Sequence, residues 1–330
     1  MHNNNKTLHL AVFFLLFAIF CIILSAPAAQ AEQQELHYRL KWLFNVGAAG
    51  DIYADKGGYF AAQGVQVTIK EGSPEKNAIN ELELGRAEFG VASADQVILA
   101  LEKGAHPVVL AQIFQVNPMQ WIYRADQPEI KTLKDLRGRK IGITFGGNDE
   151  TVMRTLLAKA GIREQEVQLS GVRFDFTPFF RRKVEVWPVY CNSQGVILQE
   201  KLGREGEAVR FFNPADFEVN FVANSVITSE KMVKEQPEAV EKFLTALLQG
   251  WEEAMDPAKE AEVLAAVRER DKSTKKDIMK KQLAATRKLV AVEGKKIGAV
   301  DLPAWRQTEA IMLQAGQIKR AVQVEKYLRQ

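Results

Sequence analysis

The chain reads as an α/β fold in which each half is a mostly parallel sheet flanked by helices. Three patterns predict it. Strand, loop and helix alternate from Leu36 to Phe114, and the alternation starts again near Trp121. Beyond Pro237 the apolar residues recur at helical spacing only. The 330 residues, 47% of them hydrophobic, suffice for one large or two medium cores.

A secretory signal precedes the fold. Lys6 leads an apolar run from Leu8 to Leu24, and Ser25-Ala26-Pro27-Ala28-Ala29-Gln30-Ala31 supplies an Ala-x-Ala cleavage site. Residues 1–31 are therefore expected to be removed, with Glu32 first in the mature chain. No later stretch approaches the roughly 18 apolar residues of a membrane helix, so no stable membrane insertion is expected after cleavage. With 44 basic and 41 acidic residues, a net charge of +3 gives no bias toward nucleic acid. Cys21 lies in the signal, which leaves Cys191 alone and argues against a disulfide, a cysteine-built metal site or a cofactor cluster. No metal and no cofactor are expected.

The first unit is organised around residues 41–67. Leu36, Tyr38, Leu40 and Trp42 alternate with polar residues as a strand that breaks at Asn45-Val46-Gly47. A helix carrying Tyr53 follows, ends at Gly57-Gly58, and a second strand starts at Val65. The loop 42–50 thus joins a strand's carboxyl end to a helix's amino end, the usual ligand position in an open α/β sheet. Trp42 offers a flat apolar face there, or core packing; Asn45 offers donors and an acceptor, or a turn. Ser73-Pro74 reads as the start of the next helix. Residues 87–92 read as a buried strand, Ser93-Ala94-Asp95 as its exit loop, and a strand from Pro107 runs through Phe114 toward Gln115.

The second unit repeats the plan. Residues 141–144 form a strand, followed by Phe145-Gly146-Gly147-Asn148-Asp149-Glu150 and a helix ending at Gly161. Glycines at such a junction can cradle an anion, but Asp149 and Glu150 hold the places an anion would want. They serve either a ligand or the helix dipole. Trp187, Tyr190 and Asn192 mark a third loop, whose aromatics either sandwich a planar ligand with Trp42 or fill a seam. Lysine-rich amphipathic helices at 258–270, 274–290 and 303–315 alternate basic with acidic residues, the mark of a solvated face.

The order of these pieces resembles the two-lobed periplasmic substrate-binding proteins of ABC importers, and most of all their thiamine-pyrimidine-precursor-binding (NMT1/THI5-like) branch. The likeness is carried by Trp42-x-x-Asn45, Gly50-x-x-Tyr53-Ala54, Gly58-Tyr59-Phe60, Glu83-Leu84-Gly85-Arg86-Ala87-Glu88-Phe89-Gly90, residues 133–142, Pro178-Phe179 and Gly250-Trp251. It implies a type II periplasmic-binding fold with residues 32–115 and 223–330 in lobe 1 and residues 116–222 in lobe 2. Crossing strands are expected near 114–121 and 220–227. A monomer closing on a small-molecule ligand, read in its closed form by an ABC permease with its ATPase, follows from the same resemblance.

The ligand implied is a planar nitrogen heterocycle such as a thiamine pyrimidine precursor. Its expected contacts are Trp42, Asn45, Tyr53, Ser93, Asp95, Gln115, Gly146, Gly147, Asn148, Glu150, Trp187, Tyr190 and Asn192, none of them catalytic. One departure matters: where the branch places a histidine after its tryptophan, this chain has Ala48. The room so left suits a different or larger ring, and riboflavin is a close alternative. A sulfonate or nitrate on the same fold is a second alternative, and a sensor subunit serving a membrane kinase a third. An enzyme of pyrimidine synthesis is disfavoured, since the mature chain has only His37 and His106 and no cysteine cluster.

Overall fold

The computed structural model describes residues 35–329, so the proposed signal at residues 1–31 lies outside the described residues. The chain begins with β1 (Glu35–Arg39), α1 (Ala49–Lys56), α2 (Tyr59–Ala62), β2 (Gln66–Lys70), α3 (Ala78–Glu83), β3 (Phe89–Ala92), α4 (Ala94–Glu102) and β4 (Pro107–Gln112). A second group follows: β5 (Met119–Arg124), β6 (Lys140–Ile143), α5 (Asn148–Ala160), β7 (Gln168–Gly171), α6 (Thr177–Phe180), β8 (Trp187–Tyr190), α7 (Gln194–Arg204) and β9 (Val209–Phe212). The return strand β10 (Ser225–Ser229) leads to α8 (Glu230–Glu235), α9 (Pro237–Met255), α10 (Glu260–Arg270), α11 (Lys276–Val290) and α12 (Leu302–Gln314).

The first sheet has the order β2-β1-β3-β10-β4. β1 runs parallel to β2 and β3, while β10 is antiparallel to β3 and β4. In the second group β5 lies antiparallel between β8 and β9, and β6 pairs parallel with β7. The parallel strands are those joined by helical crossovers. The strands that break the pattern, β5 and β10, are the ones that follow each passage of the chain between groups.

Several expected boundaries shift. Ser73-Pro74 does not start α3: the Ser73 hydroxyl accepts from the Lys76 N–H at 3.2 Å in a turn, and Asn77 caps the helix, accepting from the Asn80 N–H at 2.9 Å. Phe114 lies beyond β4, its N–H donating instead to the Asn224 carbonyl at 3.2 Å between the sheets. Ser93 and Asp95 do not form an exit loop. Ser93 is the N-cap of α4, its N–H and hydroxyl both donating to Gln96 Oε1, and Asp95 stands in the first turn.

Packing ties α1 to the C-terminal helices. Val240, Phe243, Leu247 and Trp251 form the buried stripe of α9, and Phe243 stacks on Phe89 with ring centres 3.7 Å apart. A Cβ added at Gly50 would lie 2.0 Å from the Trp251 ring, and one at Gly250 2.5 Å from Ala54. Two glycines facing opposite partners let α1 and α9 touch along their backbones. Asp51 locks the junction, accepting from Tyr38 Oη at 2.6 Å and Trp251 Nε1 at 3.3 Å. Elsewhere Ile79, Val97 and Ile98 share a buried cluster with Trp121, Met153 and Leu156, so the two sheet groups are packed together in this conformation.

Candidate functional site

A cavity of about 980 Å³ opens where the carboxyl ends of the two groups' strands meet. Its walls come from the loop after β1, the segment before α3, the β6–α5 junction, the loop after β7, and the end of β8. These are the junctions at which a strand stops and a helix or turn begins, where side chains point past the sheet edge.

Lys41, Tyr190 and Asn224 form the polar centre. Lys41 Nζ donates to Tyr190 Oη at 2.7 Å, and Tyr190 Oη donates to Asn224 Oδ1 at 3.1 Å. The chain ties the first group, the second group and the return passage in one hydrogen-bonded line. Burial lowers the Lys41 ammonium to about 8, opposed by the negative fields of Asp95 and Asp149. Burial pushes Asp149 up to about 7, partly offset by the Thr144 N–H donating to its Oδ2 at 2.5 Å. Asp95 is also raised by burial, opposed by the Lys41 charge and then by the Ser93 hydroxyl and the Gln96 N–H. Burial raises the Tyr190 phenol well above its ordinary value, and the two carboxylates add to the shift.

Above this centre sits an aromatic and ionic rim. Trp42 tilts against Phe174 with ring centres 4.9 Å apart, and Arg173 pairs with Glu75 at 2.5 Å. Both contacts run between the first group and the loop after β7.

Eight of the sequence-predicted residues line the cavity: Trp42, Asn45, Gly146, Gly147, Asn148, Glu150, Trp187 and Tyr190. Not all have free polar groups. Asn45 Oδ1 accepts from the Gly47 N–H at 2.6 Å and its amide donates to the Leu43 carbonyl, so the turn uses the side chain. Glu150 accepts from the Gly146 N–H at 2.8 Å and pairs with Arg154 at 2.9 Å. Trp187 is 1% exposed, wedged between Phe176 and Phe179, and presents little of its ring.

The other five do not reach the wall. Tyr53 donates to Glu262 at 2.9 Å on the far side of α1. Ser93 and Asp95 are sealed under the α4 terminus. The Gln115 amide donates to the carbonyls of Gln112 and Ala299, which fixes the passage between groups. Asn192 is buried and donates to Thr286 Oγ1 of α11 at 2.9 Å. Missing from the sequence reading are Lys41, Phe174 and Asn224, while Asp149, left open there between a ligand and the helix dipole, lies in the wall. Lys41 could have been found as the polar residue just inside Trp42; for Phe174 the sequence carries no signal.

Cys191 is not in the wall, and burial pushes its thiol up to about 11, the reverse of what a thiolate nucleophile needs. Among the described residues no group of three His, Cys, Asp or Glu side chains could hold a metal ion.

Two α/β groups meeting at such a cavity define the fold of periplasmic solute-binding proteins. Solved structures share it at 14% identity. The alkanesulfonate-binding protein SsuA from Xanthomonas axonopodis pv. citri superposes with a TM-score of 0.69 over 91% of this chain and 99% of that one. The desulfurization enzyme DszB superposes at 0.59 over 90% and 96%. The chain belongs to the NMT1/THI5-like family, whose model matches residues 45–261. Among its relatives, a riboflavin-binding protein of Chloroflexus aurantiacus is 27% identical over 91% of this chain and 86% of its own. A formylaminopyrimidine-binding protein of Halalkalibacterium halodurans is 25% identical over 75% and 74%.

Proposed function

We propose that the chain is the solute-binding component of an ABC importer, exported to the periplasm by a signal cleaved after Ala31, and that it holds a planar nitrogen heterocycle without transforming it. Residues 32–115 and 223–330 form one lobe and residues 116–222 the other, closing as a monomer on the ligand and presenting the closed shape to the permease and its ATPase. The observation that carries the reading is the combination in one cavity of a partly exposed indole, Trp42, with the Lys41–Tyr190–Asn224 line and Asp149. An indole stacks on a flat ring while lysine and carboxylate meet its acceptors and N–H donors. Buried polar groups of this kind reject analogues that leave them unpaired.

Asp149 in the wall would face an anionic ligand with a like charge, which weighs against a sulfonate or nitrate, despite the likeness in fold to SsuA. The volume favours a larger ring within the heterocycle class: about 980 Å³ lies at the upper end of the roughly 300–1,000 Å³ typical of small-molecule pockets and is ample for a flavin. A thermal-shift panel tests both points. A heterocycle, riboflavin or an aminopyrimidine, at about 100 times its dissociation constant should raise the melting temperature by about 5 °C, while taurine and nitrate leave it unchanged. A rise with taurine or nitrate alone would overturn the reading.

A further inference from the structure

We propose that Lys41 is the specificity-determining cation of the cavity: it accepts neutral rings and turns away rings that carry a positive charge. This rests on the heterocycle-binding reading above. Lys41 stands two residues after β1, where the chain leaves the sheet, and its side chain lines the cavity. An ammonium has three N–H donors. One is used on Tyr190 Oη at 2.7 Å, and the cation lies 5.4 Å from the centre of the same ring. Among the described residues Nζ makes no other hydrogen bond or ion pair, which leaves two donors for a ligand carbonyl or ring nitrogen.

The surroundings keep this charge in place. Asp95 from α4 and Asp149 from α5 both act on it, and for the fully buried Asp95 the lysine is the largest influence that offsets burial. With the lysine's value near 8, the ammonium form persists at neutral pH. A ligand cation would be drawn toward Asp149, yet it would meet the ammonium at close range in a partly desolvated site and leave the two free Nζ donors without an acceptor. A neutral ring would instead accept from Nζ and donate to Asp149. A lysine that merely propped Tyr190 would affect every ligand alike; a charge filter changes the ratio between neutral and cationic ones.

The test is calorimetric titration of the full mature chain with three probes: riboflavin, the neutral 4-amino-5-hydroxymethyl-2-methylpyrimidine, and thiamine, which joins the same aminopyrimidine to a permanent cation. The wild type should bind the better neutral probe at least about 100-fold more tightly than thiamine. Lys41→Met should narrow that ratio by at least about tenfold, and Lys41→Arg should keep it. Lys41→Gln serves as the neutral variant if melting curves show Lys41→Met unfolded. An unchanged ratio in a folded neutral variant would overturn the proposal while the heterocycle reading stands. A wild type that binds neither neutral probe would sink both.

Discussion

The base of the cavity and its rim are built from opposite materials. Asp149 in the base is 6% and Asp95 beneath it 0% exposed, and each charge is governed by burial and by Lys41. At the rim, Phe174 is 46% exposed, and the Glu75 and Arg173 side chains are 53% and 58% exposed. Charges in the first setting act at low effective dielectric; those in the second are screened by water and salt. The contrast teaches that discrimination belongs to the base, whereas the rim supplies contact area and a light hold between the groups.

The largest expected effect comes from breaking the base. Asp149→Asn should weaken heterocycle binding by about 30-fold, the scale of a hydrogen bond to a charged group. The same variant carries a second readout. Burial holds Asp149, like Asp51, at about 7, above the ordinary carboxylate value of 3.8. Between those values the native state keeps protons that the unfolded chain has released, so stability should fall as pH rises from about 4 to 7 and level off above. Melting temperatures from pH 5.5 to 7.5 should show that fall in the wild type and a shallower one in Asp149→Asn.

Removing the indole sharpens the comparison from the other side. Trp42→Ala should weaken the same ligand by about tenfold, combining lost stacking and lost apolar area, with the pH profile of stability unchanged. Wild-type affinity in this variant would refute stacking. The smallest effect is expected at the ion pair. Glu75→Gln should alter affinity by less than about threefold, and the difference should vanish in 0.5 M salt, on the order expected for an exposed pair. A salt-insensitive loss as large as that of Asp149→Asn would erase the distinction between base and rim.

The strands of the first sheet and most of the helices are the legible part of this molecule, and the reason is local; the antiparallel pairing of β5 with β8 and β9 is not legible. Leu36 and Tyr38 alternate with polar neighbours, and glycines at 57, 58, 64 and 161 stop the helices, so the elements announce themselves within a few residues. The cavity was legible only as a set of loops. Asn45 was placed in the right loop, yet the turn consumed its amide, an outcome decided by whether the backbone offers Gly47 N–H first. Tyr53 and Gln115 sit near the correct loops but face away, because half a turn of helix or one residue of extended chain reverses a side chain. Lys41 escapes a reading of the sequence because a lysine beside aromatics reads as solvated. What makes it unusual is Asp95 and Asp149, which only the fold brings near.

One feature of the first sheet governs how the chain can be made. β10 fills the place between β3 and β4, yet it is synthesised after the entire second group. A polypeptide emerging amino end first therefore holds two strands whose facing edges stay bare until Ser229 appears. Such edges recruit foreign strands. The host sheet must wait for its inner strand, and that interval is when a holding chaperone would matter most.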